Sequence, residues 1–545
     1  MNKIKKYYPE IIFFSIALFF SSWLMWHTFS YQKDIIYIAV KAWSDFAAHL
    51  PLIRSFSFGQ NFPPEYPIFP GQPIRYHFIF YALVGNLERL GLPLDWALNI
   101  PSILAFFGLI LTIYFLAKLL FKKRFISILS VIFFLFNGSL SFLEFFKNKS
   151  FSLKTLTGIL QNRDFPSFGP YDGKIVSAFW NLNIYTNQRH LALAFALILL
   201  TLIIILKPII QNQKFTYRRS ILIGLFLGIT PFIHSVGFVM SIIIYSTFLL
   251  LFRKYRKQFF IISSLALIIG LPQILLTQTG NLNSNFRFNP GYLITNKLTF
   301  FNFINYWFLN FGLAFLIIPL GFIKSSPLAK KVLLGFLPFF IIGNLFQFSP
   351  EIAANHKFFN IFLIVGNIFV AYIVWLIWQK RILGKITAAI IIFFLVLSGI
   401  IDFFPIRNDP SMSIVDAPKD PDITWIKKNT PPKSLFLNSS YLYHPASLAG
   451  RKIFLGWPYF SWSAGYNTNQ RGLIMKNIYE NKNIQTTCQL LIDNKIDYFT
   501  IEDTKGNKDL PKIDINFFKT NFKPAYSNSK SDFQIYDVNY NCLIK

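Results

Sequence analysis

Acidic side chains are scarce in this chain: 24 Asp and Glu stand against 53 Lys and Arg, a formal net charge of +29 over 545 residues. Charged residues of both signs together make up 14%, well under the roughly 25% of a soluble domain, so an ordinary globular surface is excluded. Only two cysteines occur, Cys488 and Cys542, and no CxxC pair is present to hold a zinc or an iron–sulfur cluster. HExxH and glycine-rich phosphate loops are missing, as is any repeat of about 20–50 residues. Metalloprotease, P-loop and solenoid readings fall away with them.

The chain is rich in apolar and aromatic residues, 53% and 19% respectively. Apolar runs of about 17–22 residues recur through roughly the first 400 positions, each long enough to cross a bilayer core. In a membrane protein the placement of charge matters more than its sum. Six short segments, MNKIKKYY at the start, then those at 122–124, 207–219, 253–257, 324–331 and 380–385, hold 20 Lys and Arg and no Asp or Glu. They alternate with segments that carry nearly all the acids, Glu10 being the exception. This is the positive-inside pattern, and nucleic acid is unnecessary to explain the charge. The first run, PEIIFFSIALFFSSWLMWHTF, is long for a cleaved signal and lacks an A-x-A site; it is expected to stay as a first span with the N-terminus in the cytoplasm.

These alternations predict an α-helical polytopic membrane protein of about eleven spans, near 9–30, 98–121, 125–143, 188–206, 219–233, 235–252, 258–276, 303–323, 331–347, 358–378 and 385–403. An odd count places the C-terminus outside. Outer segments are expected over 31–97, 144–187, 277–302 and around SPEIAANHK. Composition turns polar after DFFP, so a membrane portion, 1–404, is expected to precede a soluble extracytoplasmic α/β domain, 405–545. There SLFLNSS and IDYFTIED read as strands, and RGLIMKNIYEN and TTCQLLIDNK as helices. Both cysteines lie in this domain, where they form either a disulfide or two thiols.

All seven histidines, His27, His49, His77, His190, His234, His356 and His444, map to the outer side or its boundary. With Asp45, Glu65 and Glu351 they suggest a polar cavity opening outward. The first outer loop carries most information. Asp45 and His49 in WSDFAAHLPLIRSF stand four apart, one above the other on a helix. A Pro/Gly-rich stretch and a short apolar helix near 76–90 follow, the latter expected to lie along the membrane surface.

The order of an Asp, then IRSFSFG, then PGQPIRYHFIFYALVGNLERLG, then DWALNIPSIL resembles the first loop of the GT-C membrane glycosyltransferases. The protein O-mannosyltransferases and the bacterial aminoarabinose transferase are the nearest in pattern. The likeness covers roughly residues 9–125; beyond it only the layout agrees. It implies transfer of a sugar from a polyprenyl-phosphate donor to a lipid, glycan or protein acceptor at the outer face of a bacterial or archaeal cytoplasmic membrane. Such chemistry needs a carboxylate to take the acceptor's proton, cations or a metal for the departing phosphate, and a groove for the lipid.

Asp45 suits the base, with His49 beside it; capping the following helix is the structural alternative for Asp45. Arg189, His190 and Lys357, each at the outer head of a span, suit the phosphate; interfacial anchoring is theirs. Glu65, His77, His356, Trp457 and Tyr459 are candidate acceptor or substrate contacts. A divalent metal, Mg, Mn or Zn, would find oxygen and nitrogen ligands in Asp45, His49 and Glu65. His49 stands where a second acid could help, and the loop has no DxD or DE pair. The D-x-D in DPDITWIKK reads instead as Asp420 capping a helix with Pro421 at its first position. The aromatic run GRKIFLGWPYFSWSAGY serves either a glycan platform or a core.

Two rival classes make different demands. A transporter or flippase should show inverted repeats and ionisable residues at span midplanes. A non-catalytic assembly or sensor protein should tolerate substitutions at Asp45 and His49.

Overall fold

A computed structural model describes residues 2–150, 152–169, 172–277, 286–504 and 509–543; part of the outer segment expected over 277–302 lies outside these. The chain forms two compact units. One comprises Met1–His27, Pro101–Leu275 and Asn283–Pro410, the other Thr28–Ile100, Leu276–Leu282 and Ser411–Lys545. The first outer loop thus shares a unit with the C-terminal region.

The first unit is a helix bundle. Among the described residues, seven helices are long and apolar enough to cross a membrane, and the pair Phe300–Phe311 and Leu313–Lys324 adds an eighth crossing if counted as one. This is a multi-pass membrane protein. Three other expected spans appear as helices of 12, 12 and 17 residues, Arg124–Leu135, Tyr217–Gly228 and Ser235–Leu251. At 1.5 Å per residue these reach about 18–26 Å, short of a core about 30 Å thick. The count of eleven full crossings is not shown.

Helix His356–Trp378 is the bundle's axis, packed by Arg124–Leu135, Leu313–Lys324, Pro327–Leu345 and Ile382–Arg407. The pair around Gly312 bends by 95°. Gly312 has φ +56°, and a Cβ there would lie 1.9 Å from the Gly138 carbonyl oxygen; only glycine fits the bend. Glu10, the acid among basic segments, accepts from Lys118 Nζ at 2.9 Å and Arg124 Nε at 2.5 Å. Inside the bundle, Asn137 Nδ2 donates to the buried Asp402 carboxylate at 3.2 Å.

In the second unit a hairpin, Phe29–Gln32 and Ile35–Ala39, turns through Lys33 and Asp34, both at positive φ. Two such residues make the tight turn whose twist suits a hairpin. Strand Ser411–Val415 extends it antiparallel, Ile35 facing Val415 and Ala39 facing Ser411. A second, five-stranded sheet runs in the order Lys452–Ile453, Leu435–Leu437, Tyr498–Ile501, Gln534–Asp537, Tyr526–Ser527. Its first two pairings are parallel and its last two antiparallel. Helices Thr468–Glu480 and Ile484–Asp493 lie in the expected places. Asp420 caps its helix, accepting from the Ile423 N–H at 2.9 Å with Pro421 next; the D-x-D is structural.

Cys488 and Cys542 are joined in a disulfide, their Cα atoms 5.4 Å apart across 54 residues. Cys542→Ser, or reduction, is expected to lower the stability of this unit by about 2–4 kcal/mol, chiefly by freeing the unfolded chain. Denaturant unfolding with and without reductant measures it.

His444 is fully buried; its Nδ1 accepts from the Ala446 N–H at 3.2 Å, so its Nε2–H donates to Thr500 Oγ1 at 3.0 Å. Burial pulls its pKa down to about 3. The unfolded chain therefore takes up a proton that the folded one refuses. Stability is lost as pH falls below about 6.5, by about 1.4 kcal/mol per unit until the folded value is reached. His444→Gln is expected to flatten that acid limb in unfolding curves taken between pH 7 and pH 4.

Candidate active site

Helix Trp43–Ser57 brings Asp45 and His49 onto one face, as the spacing required. Ala42, not Asp45, occupies the cap position. Asp45 lies in the first turn, half-buried. His49 is buried and stacks on Tyr81, ring centres 4.7 Å apart, with Phe46 edge-on at 5.9 Å.

Four phenols surround this face. Burial chiefly, with the Asp45 charge second at Tyr76 and Tyr443 and behind neighbouring phenols at Tyr66 and Tyr81, holds all four above the usual phenol range. They stay neutral and keep their O–H donors at any physiological pH. Tyr76 and Tyr81 are hydrogen-bonded to each other, and Tyr443 donates to the Trp43 carbonyl while packing on its ring at 4.3 Å. The local sequence could not announce these tyrosines as a group, because Tyr443 comes from the C-terminal region.

A buried ionic cluster anchors the same helix. Arg54 pairs with Glu88 at 3.0 Å and with Asp416. All three side chains are under a tenth exposed. Glu88, on helix Ile79–Arg89, has its pKa raised by burial against the pull of Arg54. The cluster ties the Asp45 helix to helix Ile79–Arg89 and to the chain just after strand Ser411–Val415.

The other expected residues of this unit are spread more widely. Glu65 accepts from Lys452 Nζ at 2.6 Å and from the Gly71 N–H at 3.2 Å, closing the irregular stretch onto the five-stranded sheet. His77 is stacked on Tyr76 at 3.9 Å. Trp457 stands before the short helix Pro458–Ser463, with Tyr441 edge-on at 6.3 Å. Tyr459 is 45% exposed and sits 6.0 Å from the exposed Trp462 ring.

In the bundle, the expected phosphate residues gather at helix starts. Arg189 is buried, its Nε donating to the Thr186 carbonyl at 3.3 Å and its Nη2 to the Met25 carbonyl at 3.1 Å. His190 is fully buried, its ring 5.3 Å from that of His234. His234 caps helix Ser235–Leu251 by accepting the Gly237 N–H at 2.9 Å. The Lys357 charge acts on both His234 and His356. His356 stacks on Phe179 at 5.0 Å, and Asn360 Nδ2 lies 3.1 Å from its Nδ1. His234 is not among the residues expected at the phosphate; its place in the TPFIHS turn, at a helix head like His190 and Lys357, is the available signal.

No family model matches the sequence, and no curated protein matches it. Solved structures do. The crystal structure of the Archaeoglobus fulgidus oligosaccharyltransferase in the apo form is similar at a TM-score of 0.50 and 12% identity, over 92% of this chain and 70% of that one. The same enzyme, AglB, in complex with an inhibitory peptide and a dolichol-phosphate gives 0.48 and 11%, over 99% and 75%. Its complex with Zn and sulfate gives 0.45 and 12%, over 97% and 74%. At such identities the apo structure establishes the fold alone. The chain has the fold of that archaeal oligosaccharyltransferase.

Proposed function

We propose that this protein is a glycosyltransferase that moves a sugar from a polyprenyl-phosphate donor to a lipid, glycan or protein acceptor at the outer face of the membrane, with the N-terminus in the cytoplasm and residues 405–545 outside. The observation that carries the reading is Asp45. It is an acidic side chain at the head of the first outer helix, not used as its cap and ringed by neutral phenols, on a chain with the fold of that oligosaccharyltransferase.

In this reading the Asp45 carboxylate takes the proton of the acceptor as its heteroatom bonds to the anomeric carbon. The bond from that carbon to the phosphate oxygen breaks, and polyprenyl phosphate leaves with the electron pair. A carboxylate suffices as base because the glycosyl phosphate already carries a good leaving group. Arg189, His190 and Lys357 are the cations and donors for that phosphate. His49 holds the Asp45 face through its stack on Tyr81, while His77, His356, Trp457 and Tyr459 are the acceptor and sugar contacts. A divalent metal, Mg, Mn or Zn, would add charge neutralisation at the phosphate. Asp45, His49 and Glu65 would be its ligands in this reading, Glu65 by giving up Lys452. Eleven crossings, three of them by short helices, complete the topology.

The test is incubation of the purified protein in lipid nanodiscs with a panel of polyprenyl-phosphate sugars and simple acceptors, following release of free polyprenyl phosphate. Release from one donor class is expected. Absence of release from every donor, with the protein folded and acceptors present, overturns the reading in favour of a transporter or an assembly protein.

A further inference from the structure

At the basic ends of three bundle helices lies an open groove of about 370 Å³, within the roughly 300–1,000 Å³ of small-ligand sites. Tyr217 forms one wall at the head of helix Tyr217–Gly228, and Leu249 forms another near the foot of Ser235–Leu251. Arg256, Lys257, Phe260 and Ile261, from the first two turns of Arg256–Thr277, complete it. Ser235 to Leu249 is about 21 Å of rise along one helix, so the groove stands at the end of the bundle away from His234.

Packing holds the groove open. Helices Tyr217–Gly228 and Arg256–Thr277 meet closely further along, where a Cβ on Gly224 would lie 2.9 Å from Leu265 Cβ and one on Gly228 2.6 Å from Ile269 Cβ. At the mouth, Gln258 Nε2 donates to the Phe215 carbonyl at 3.1 Å, and Phe215 is buried with its ring 6.1 Å from that of Phe259. These contacts fix Tyr217 beside the first turn of the neighbouring helix without filling the space.

Charge names the occupant. Between Asp172 and Glu351 the chain has no acidic residue. Arg218, Arg219, Arg253, Lys254, Arg256 and Lys257 are exposed, and among the described residues none of them is ion-paired. Arg218 with Arg219, and Arg256 with Lys257, stand in the first turns of their helices, the end where the helix field already disfavours cations. Neither turn holds an acid. An anion at the mouth offsets both. The floor argues against a free one. Beyond the two cations it is Leu249, Phe260 and Ile261, with Phe260 61% exposed, a surface that hydrocarbon covers better than water. Positive-inside placement accounts for cations at this end of the bundle, but not for an apolar groove among them.

We propose that this groove binds a phospholipid of the surrounding bilayer with an anionic headgroup, its phosphate at Arg256 and Lys257 and its chains along Leu249, Phe260 and Ile261. The inference rests on the membrane character of the bundle and not on the transferase reading.

The experiment uses the full chain in nanodiscs of mixed phosphatidylglycerol and phosphatidylcholine, with one lipid or the other bearing a diazirine on an acyl chain and the labelled peptides mapped by mass spectrometry. Phosphatidylglycerol is expected to label the end of Ser235–Leu251 and the start of Arg256–Thr277 about tenfold more than phosphatidylcholine. The double variant Arg256→Gln, Lys257→Gln should abolish that preference. Lys380→Gln, Lys385→Gln, which removes the same charge from another basic segment, should keep it. Leu249→Trp, which fills the groove and leaves every cation, should cut labelling about tenfold. If the tryptophan variant does not fold, judged by its melting temperature in phosphatidylcholine alone, the paired double variants decide. Equal labelling by the two lipids, the same loss in both double variants, or full labelling of a folded Leu249→Trp overturns the proposal in favour of diffuse attraction between the basic side and an anionic surface. Displacement of the lipid by inorganic phosphate alone overturns it in favour of a soluble anion. The transferase reading stands or falls separately, on donor turnover.

Discussion

Asp45→Asn is expected to lower release of polyprenyl phosphate by about 10²–10⁴-fold at saturating donor, the range general-base catalysis supplies. The change is nearly isosteric and removes only the proton-accepting charge. Helix Trp43–Ser57 does not rely on Asp45 for its cap, so the fold should persist with an unchanged melting temperature. Its effect should fall on kcat more than on KM, since the carboxylate acts on the acceptor's proton in the transition state rather than on the donor's lipid. The pH dependence adds a check. A carboxylate base loses activity as pH falls through its own pKa, and that acid limb should vanish in the residual activity of the variant. Full turnover by Asp45→Asn would move the base elsewhere and leave Asp45 as a structural acid.

Arg54→Ala is expected to destabilise the second unit by about 3–5 kcal/mol, the cost of stranding a buried charge. Here two carboxylates, Glu88 and Asp416, lose their shared cation in a site with almost no water. Thermal unfolding in detergent measures the loss. The triple change Arg54→Met, Glu88→Gln, Asp416→Asn removes all three charges and should recover most of the stability, because a neutral set needs no counter-ion. A triple variant as unstable as Arg54→Ala would show that packing of the guanidinium, which also stacks on Phe58 at 5.0 Å, outweighs its charge. Activity should fall with stability in Arg54→Ala and return with it, unlike Asp45→Asn.

The amino-acid sequence by itself determined that this is a multi-pass membrane protein, where the basic segments fall between the apolar runs, and where a polar region begins. Those properties follow from local composition: an apolar run of bilayer length needs no distant partner to state its preference for lipid. The helix carrying Asp45 and His49, the short apolar helix after it, the strands at SLFLNSS and IDYFTIED, and the Asp420 cap were legible for the same reason. Each is a pattern of a few neighbouring residues.

Tertiary structure alone decided the rest. The hairpin after the first span pairs with a strand that follows the last one, and nothing in either apolar stretch names the other. Arg54 reads as a basic residue in a short helix; only packing shows it held between Glu88 and Asp416. Tyr443 joins Tyr66, Tyr76 and Tyr81 around Asp45 from the far end of the chain. The run expected as a single span near 303–323 is broken at Gly312 because the backbone there must turn with positive φ against Gly138, a steric demand that hydropathy does not register. Hydropathy measures where each segment would rather be; which segments meet there is set by non-local packing, and the candidate site is built from such meetings.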